Sequence, residues 1–174
     1  MRRRPSLELL LVLAATSFGA PALVEAQDEP VVVYLVRHSE RAEDGTNDPA
    51  ISEPGWDRSR LLAGMLEDAG LTHMHTTDFR RTRMTGRPTA DATGIEMQLY
   101  DPRDLDGFAA ELRRTPGRHL VLGHSDTTPA MVRALGGDPG SSIQTMEYDR
   151  LYIVTLTDLG ASTVLIRFGA RYEG

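Results

Sequence analysis

The chain is 174 residues long, 40% hydrophobic and 25% charged, with 19 basic side chains against 25 acidic ones and a formal net charge of -6. That length suits one domain with a real core, and an acidic surface repels nucleic acid and anionic lipid, so neither is expected as a partner. Every basic side chain is arginine and there is no cysteine, which excludes lysine Schiff-base chemistry, a Walker-type phosphate loop, disulfides, lipoprotein attachment and thiolate metal sites.

Arg2, Arg3 and Arg4 open the chain, an apolar run from Leu7 to Ala15 is broken only by Glu8, and small residues follow. This is the pattern of a secretory signal, with small-x-small spacing for cleavage after Ala26 or after Ala22. The run falls short of the roughly 20 residues that span a bilayer. Residues 1–26 are therefore expected to be a signal peptide and residues 30–174 a single mature domain, periplasmic or secreted, with no membrane attachment once the signal is removed.

Val31 to Val36 is a continuous β-branched and aromatic run, as expected of a strand buried on both faces, and it ends in Arg37-His38-Ser39-Glu40. Ser52 is placed to cap a helix from about Pro54 to Ala69, stopped by Gly70. A short strand is expected over His73 to Thr76. Asp78 then caps a helix that carries Arg80, Arg81 and Arg83, bends or tightens around Pro88, and ends at Gly94. Ile95 to Leu99 reads as a strand, Leu105 to Leu112 as a short helix, and His119 to Gly123 as a second buried strand running into His124-Ser125-Asp126. Thr127 to Leu135 is a helix closed by Gly136-Gly137, and Leu151 to Thr157 pairs with Ser162 to Phe168 across a turn. The alternation predicts an α/β fold: a three-layer α/β/α sandwich with a mostly parallel central sheet and an antiparallel C-terminal edge hairpin.

In an open α/β sheet, ligands bind beyond the carboxyl ends of the strands. His38 and His124 both follow buried strands, so the sheet is expected to present two imidazoles at one edge with Arg37 beside them. A neutral imidazole is a competent nucleophile near pH 7, and planar guanidinium groups match the oxygens of a phosphoryl group. Arg37 and one or two of Arg80, Arg81 and Arg83 are the natural supply, the latter near a helix N-terminus that itself attracts phosphate.

Three blocks carry a family resemblance. Val33-Tyr34-Leu35-Val36-Arg37-His38-Ser39-Glu40, Thr76-Thr77-Asp78-Phe79-Arg80-Arg81-Thr82-Arg83-Met84-Thr85 and Leu122-Gly123-His124-Ser125 occur in this order, and together the chain resembles the histidine phosphatase superfamily, also called phosphoglycerate mutase-like. The compact branch similar to phosphohistidine phosphatases is the nearer likeness, because little more than one strand and one short helix fit between Arg81 and His124. The resemblance implies that His38 is the phosphorylated nucleophile, that Arg37, Arg81 and His124 bind the transferring group together with Ser39, and that no metal or other cofactor takes part. The implied substrate is a small-molecule phosphate ester or a phosphoprotein. Ser39 stands where the family has Gly, Gly86 where Ala is common, and Thr76-Thr77 where a serine pair is usual. The family's acidic proton donor has no clear counterpart, leaving Glu40, Glu53, Asp101 and Asp126 as candidates.

Three other readings compete. Gly123-His124-Ser125-Asp126-Thr127 is similar to a serine-hydrolase elbow with Ser125 as nucleophile, but Thr127 replaces the second Gly and no histidine follows His124. His73 and His75 face one way on a strand and suggest a metal site; without a third ligand at motif spacing, one is expected to be structural and the other exposed. A catalytically inactive phosphate-binding module of the same fold would keep Arg37, Arg81 and His124.

Overall fold

The computed structural model describes residues 30–174, so the expected signal segment lies outside the described residues. Ten elements follow in order: β1 Val31–Arg37, α1 Glu53–Met65, β2 His73–Thr76, α2 Arg80–Thr93, β3 Met97–Leu99, α3 Leu105–Arg114, β4 Gly117–Gly123, α4 Thr127–Ala134, β5 Arg150–Thr157 and β6 Gly160–Arg167. They form one six-stranded sheet in the order β3-β2-β4-β1-β5-β6. The first four strands in that order are mutually parallel, and β5 runs antiparallel to both β1 and β6. The expected sandwich is therefore present.

Alternation along β1 builds both halves of the core. Val31, Val33 and Leu35 pack with Phe108 and Leu112 of α3 and Met131 and Val132 of α4. Val32, Tyr34 and Val36 face the other way, onto Leu62 of α1, Leu66 and Phe168. A continuous apolar run is what a strand covered by helices on both faces requires.

Three local expectations change, the first being that α1 ends at Met65 with Leu66 as its cap, four residues before the expected end at Ala69. Asp78 does not cap α2: its carboxylate pairs with Arg83 instead, and Phe79 is the cap residue, with no side-chain cap bond. The capping carboxylate comes from far away, because Asp48 accepts from the Arg80 backbone N–H through both oxygens at 3.1 and 3.0 Å. The third strand is also shorter than Ile95 to Leu99, since its pairing with β2 begins only at Met97. Ser52 caps α1 as expected, accepting from the Gly55 N–H at 3.3 Å. A Cβ on Gly55 would lie 2.5 Å from the Glu40 carbonyl oxygen, so glycine is what lets α1 approach the segment following His38.

Candidate active site

Strand pairing brings the two predicted histidines together. Arg37 is opposite Gly123 in the parallel β1–β4 ladder, so His38 and His124 leave adjacent strands at the same level. The His38 N–H donates to the Gly123 carbonyl at 2.9 Å, and the two rings meet edge to face with centroids 5.5 Å apart. Beyond Gly123 the backbone is enclosed: a Cβ there would stand 2.9 Å from the hydroxyls of Thr127 and Thr128.

Hydrogen bonding fixes which nitrogen of each ring is free. His38 Nδ1 lies 2.7 Å from the Ser39 carbonyl oxygen; a carbonyl only accepts, so Nδ1 carries the proton and, in the neutral ring, Nε2 keeps its lone pair. Burial pushes the His38 pKa down to about 3, with the charges of Arg37, His124 and Arg81 acting in the same direction against the Ser39 bond. At His124, Arg81 Nη2 approaches Nδ1 at 3.5 Å, so Nδ1 accepts and Nε2 donates to the Thr77 hydroxyl at 3.0 Å. Burial, with Arg81 next, lowers the His124 pKa to about 4. Both rings are neutral at ordinary pH.

The cations around them are held by oxygens and aromatic faces. Arg37 Nη1 donates to the carbonyls of Gln144 and Glu147 at 3.0 and 2.9 Å, and its guanidinium lies 4.1 Å from the centre of the Tyr148 ring. Arg81 Nη1 donates to Asp48 at 3.3 Å, and its guanidinium covers Phe79 at 4.3 Å. Nε of both arginines is buried without a hydrogen-bond partner among the described residues, which leaves an N–H on each for a further acceptor. Burial lowers both arginine pKa values, and the charge of Arg41 adds to that on each.

The remaining predicted residues lie elsewhere. Ser39 is buried with its hydroxyl 3.0 Å from that of Ser59 on α1 and its N–H on Thr85; the side chain faces α1. Glu40 is in a bidentate pair with the buried Arg58, Glu53 is exposed beside Arg60, and Asp101 binds Arg103, whose hydrogen bonds hold its carboxyl down to about 2. Asp126 is exposed and caps α4, its carboxylate accepting from the Thr127 N–H at 2.8 Å, close enough to His124 for its charge to raise that ring's pKa. Ser125 lines a neighbouring cavity of about 370 Å³ and bonds to no imidazole among the described residues. Of the expected metal pair, neither ring is exposed: half-buried His73 and buried His75 stack with His119, and no group of three or more potential ligands is placed to hold a metal among the described residues. Asp48, Thr77, Phe79 and Tyr148 complete the candidate site and were not singled out from sequence. Thr77 and Phe79 stood inside the quoted second block; Asp48 and Tyr148 carried no local signal.

Fold and centre together define an α/β sandwich protein with a cluster of two imidazoles and two guanidinium groups at the strand ends. The family model for the histidine phosphatase superfamily (branch 1) matches residues 33–105 of this chain. It is 39% identical over 77 residues to the protein named "Probable phosphoglycerate mutase GpmB" of Serratia proteamaculans, a match covering 41% of this chain and 35% of that one. The aligned part is thus about a third of that relative's length. Among solved structures, the protein histidine phosphatase SixA complexed with tungstate superposes with TM-score 0.65 at 19% identity, over 78% of this chain and 96% of that one. A mycobacterial glucosyl-3-phosphoglycerate phosphatase gives TM-score 0.60 at 12% identity, over 82% and 100%. At such identities the likeness is one of fold.

Proposed function

We propose that this protein is a metal-independent phosphatase that transfers a phosphoryl group to His38 and then to water. The observation that carries the reading is the His38 ring itself, whose Nδ1 proton is committed to a peptide oxygen so that Nε2 is unprotonated among converging guanidinium groups. In the first step Nε2 bonds to phosphorus as the bond to the leaving group breaks. In the second, water bonds to phosphorus as the phosphorus–nitrogen bond breaks and its electron pair returns to Nε2; both water protons leave on the phosphate, one of them then replacing, through solvent, the proton taken up by the leaving group. Arg37 and Arg81 bind the equatorial oxygens, where charge is spread in the transition state, and His124 stands against the same oxygens.

Substrate class follows from the carboxylates. Glu40, Glu53 and Asp101 are each bound to an arginine and Asp126 is engaged as the cap of α4, and an ionised carboxylate held by such donors is a poor proton donor. Such a centre suits leaving groups that need little help, such as the ring nitrogen of a phosphoramidate in a phosphoprotein or the oxygen of an aryl or otherwise acidic phosphomonoester. The name of SixA, a protein histidine phosphatase, supports this choice over the mutase named among the relatives. Measuring kcat/KM over a series of aryl phosphates tests it: a steep dependence on leaving-group acidity is expected, and a flat one would show a general acid at work. Residues 1–26 are read as an export signal and residues 30–174 as the mature domain in the periplasm or medium, which N-terminal sequencing of the protein from its host would check.

A further inference from the structure

Arg37 is set from below by a segment that the reaction itself does not use. Its Nη1 donates to the Gln144 and Glu147 carbonyls, and the ring stacked on it, Tyr148, stands with its centroid 5.9 Å from that of His38. All three belong to the stretch between α4 and β5. That stretch has no secondary structure, so its conformation needs another source of order.

The source is one buried carboxylate. Glu147, 2% exposed, accepts from Arg150 Nε at 2.6 Å and Nη2 at 3.0 Å, from Arg167 Nη1 at 2.5 Å, and from the Gln144 N–H at 2.8 Å. Arg150, itself buried, extends the network to the Ser141 and Ser142 carbonyls and the Tyr152 hydroxyl. Hydrogen bonds from Arg150, Gln144 and Arg167 overcome the burial that opposes its charge and hold the Glu147 carboxyl down to about 2. A carboxylate this deep, satisfied by two guanidinium groups and a peptide N–H, fixes geometry more than it adds net stability.

We propose that Glu147 is a positioning residue for phosphate binding: through the folded 141–149 segment it orients the Arg37 guanidinium and the Tyr148 ring beside His38. This rests on Arg37 being a phosphate ligand. The Gln144 contact closes the logic, since the same residue gives its N–H to the Glu147 carboxylate and its carbonyl to Arg37. Losing the carboxylate's charge loosens both acceptors of Nη1 and lets the guanidinium swing out of register with the oxygens it binds.

The test compares wild type, Glu147→Gln, Arg37→Ala and the double variant by titration calorimetry with inorganic phosphate and by aryl phosphate kinetics, well below each melting temperature. Glu147→Gln is expected to weaken phosphate binding and raise KM by about tenfold while kcat falls by less than about threefold. In the Arg37→Ala background the same change should have almost no effect on phosphate affinity. If Glu147→Gln does not fold, Arg167→Met, which removes one donor at a half-exposed site, should move phosphate affinity in the same direction by a smaller factor. Unchanged affinity in Glu147→Gln, or an equal loss with and without Arg37, would overturn the proposal. Wild-type protein that binds phosphate but hydrolyses nothing would sink the phosphatase reading while leaving the affinity comparison decisive; wild-type protein that binds no phosphate would overturn both.

Discussion

The chain holds two groups of buried and half-buried imidazoles, and they differ in what surrounds them. His73, His75 and His119 stack on the α3 face of the sheet, with ring centroids of His73 and His119 4.5 Å apart and Phe108 edge-on to His75. Two of the rings are linked by hydrogen bonds: His119 Nε2 donates to the Thr115 carbonyl at 2.9 Å, and His119 Nδ1 accepts from His75 Nε2 at 3.1 Å. No arginine is among the causes that lower the pKa of His75 to about 3. His38 has the same depressed value, but its Nε2 is left over and the charges of Arg37 and Arg81 act on it. A shifted pKa therefore reports burial in both places, whereas a free lone pair beside paired cations distinguishes the candidate centre.

Substitution gives the sharpest separation. His38→Ala is expected to lower kcat/KM for an aryl phosphate by at least about a thousandfold and to abolish acid-labile labelling by the phosphoryl group, whereas His75→Leu should leave kcat/KM within about twofold. If the two variants lose activity equally, the contrast collapses. Arg81→Ala comes next, with an expected loss of about a hundredfold, because it removes a charged ligand and the group facing His124 Nδ1.

The pH response divides the groups again. For catalysis, an imidazole depressed to about 3 stays neutral, so once the ester's own ionisation is allowed for, the acidic limb of kcat/KM should fall below about pH 5. A limb at the ordinary histidine value, near 6.5, would contradict a buried neutral nucleophile. For stability, unfolded histidines take up protons that the folded ones refuse, so the folded state is favoured fully above about pH 6.5 and progressively less as pH falls toward the folded values. His75→Leu removes one such group, and its melting temperature should change less steeply between pH 7 and about pH 4.5 than that of wild type. The smallest expected effect is none: EDTA should leave both activity and melting temperature unchanged.

Sequence patterns carried the sandwich and the two strand-end histidines because both depend on local periodicity: β1 reads as an uninterrupted apolar run, and His38 and His124 follow their strands directly. The rest of the site arrives through pairing that local patterns do not specify. The C-terminal hairpin sits at one edge as expected, but the alternation did not say which strand it joins: β5 pairs with β1, with Val36 opposite Leu151. An antiparallel strand begins where its neighbour ends, so the segment entering β5 falls across the carboxyl end of β1 and delivers Tyr148 and Glu147 to Arg37. Asp48 was illegible for the same kind of reason: it caps a helix that starts 32 positions later. The stacked histidines show the opposite limit. Alternation placed His73 and His75 on one face correctly, but only the β2–β4 register, His73 opposite His119, supplies the third ring.

The group that directs the His38 proton is a peptide oxygen, not a side chain. Exchanging residue 39 therefore leaves the tautomer of the nucleophile untouched so long as the chain keeps its path, which accounts for how a serine can stand there in place of a glycine. It also means that the feature most directly governing reactivity has no letter in the sequence: it is inherited with the backbone and can be lost only by bending it.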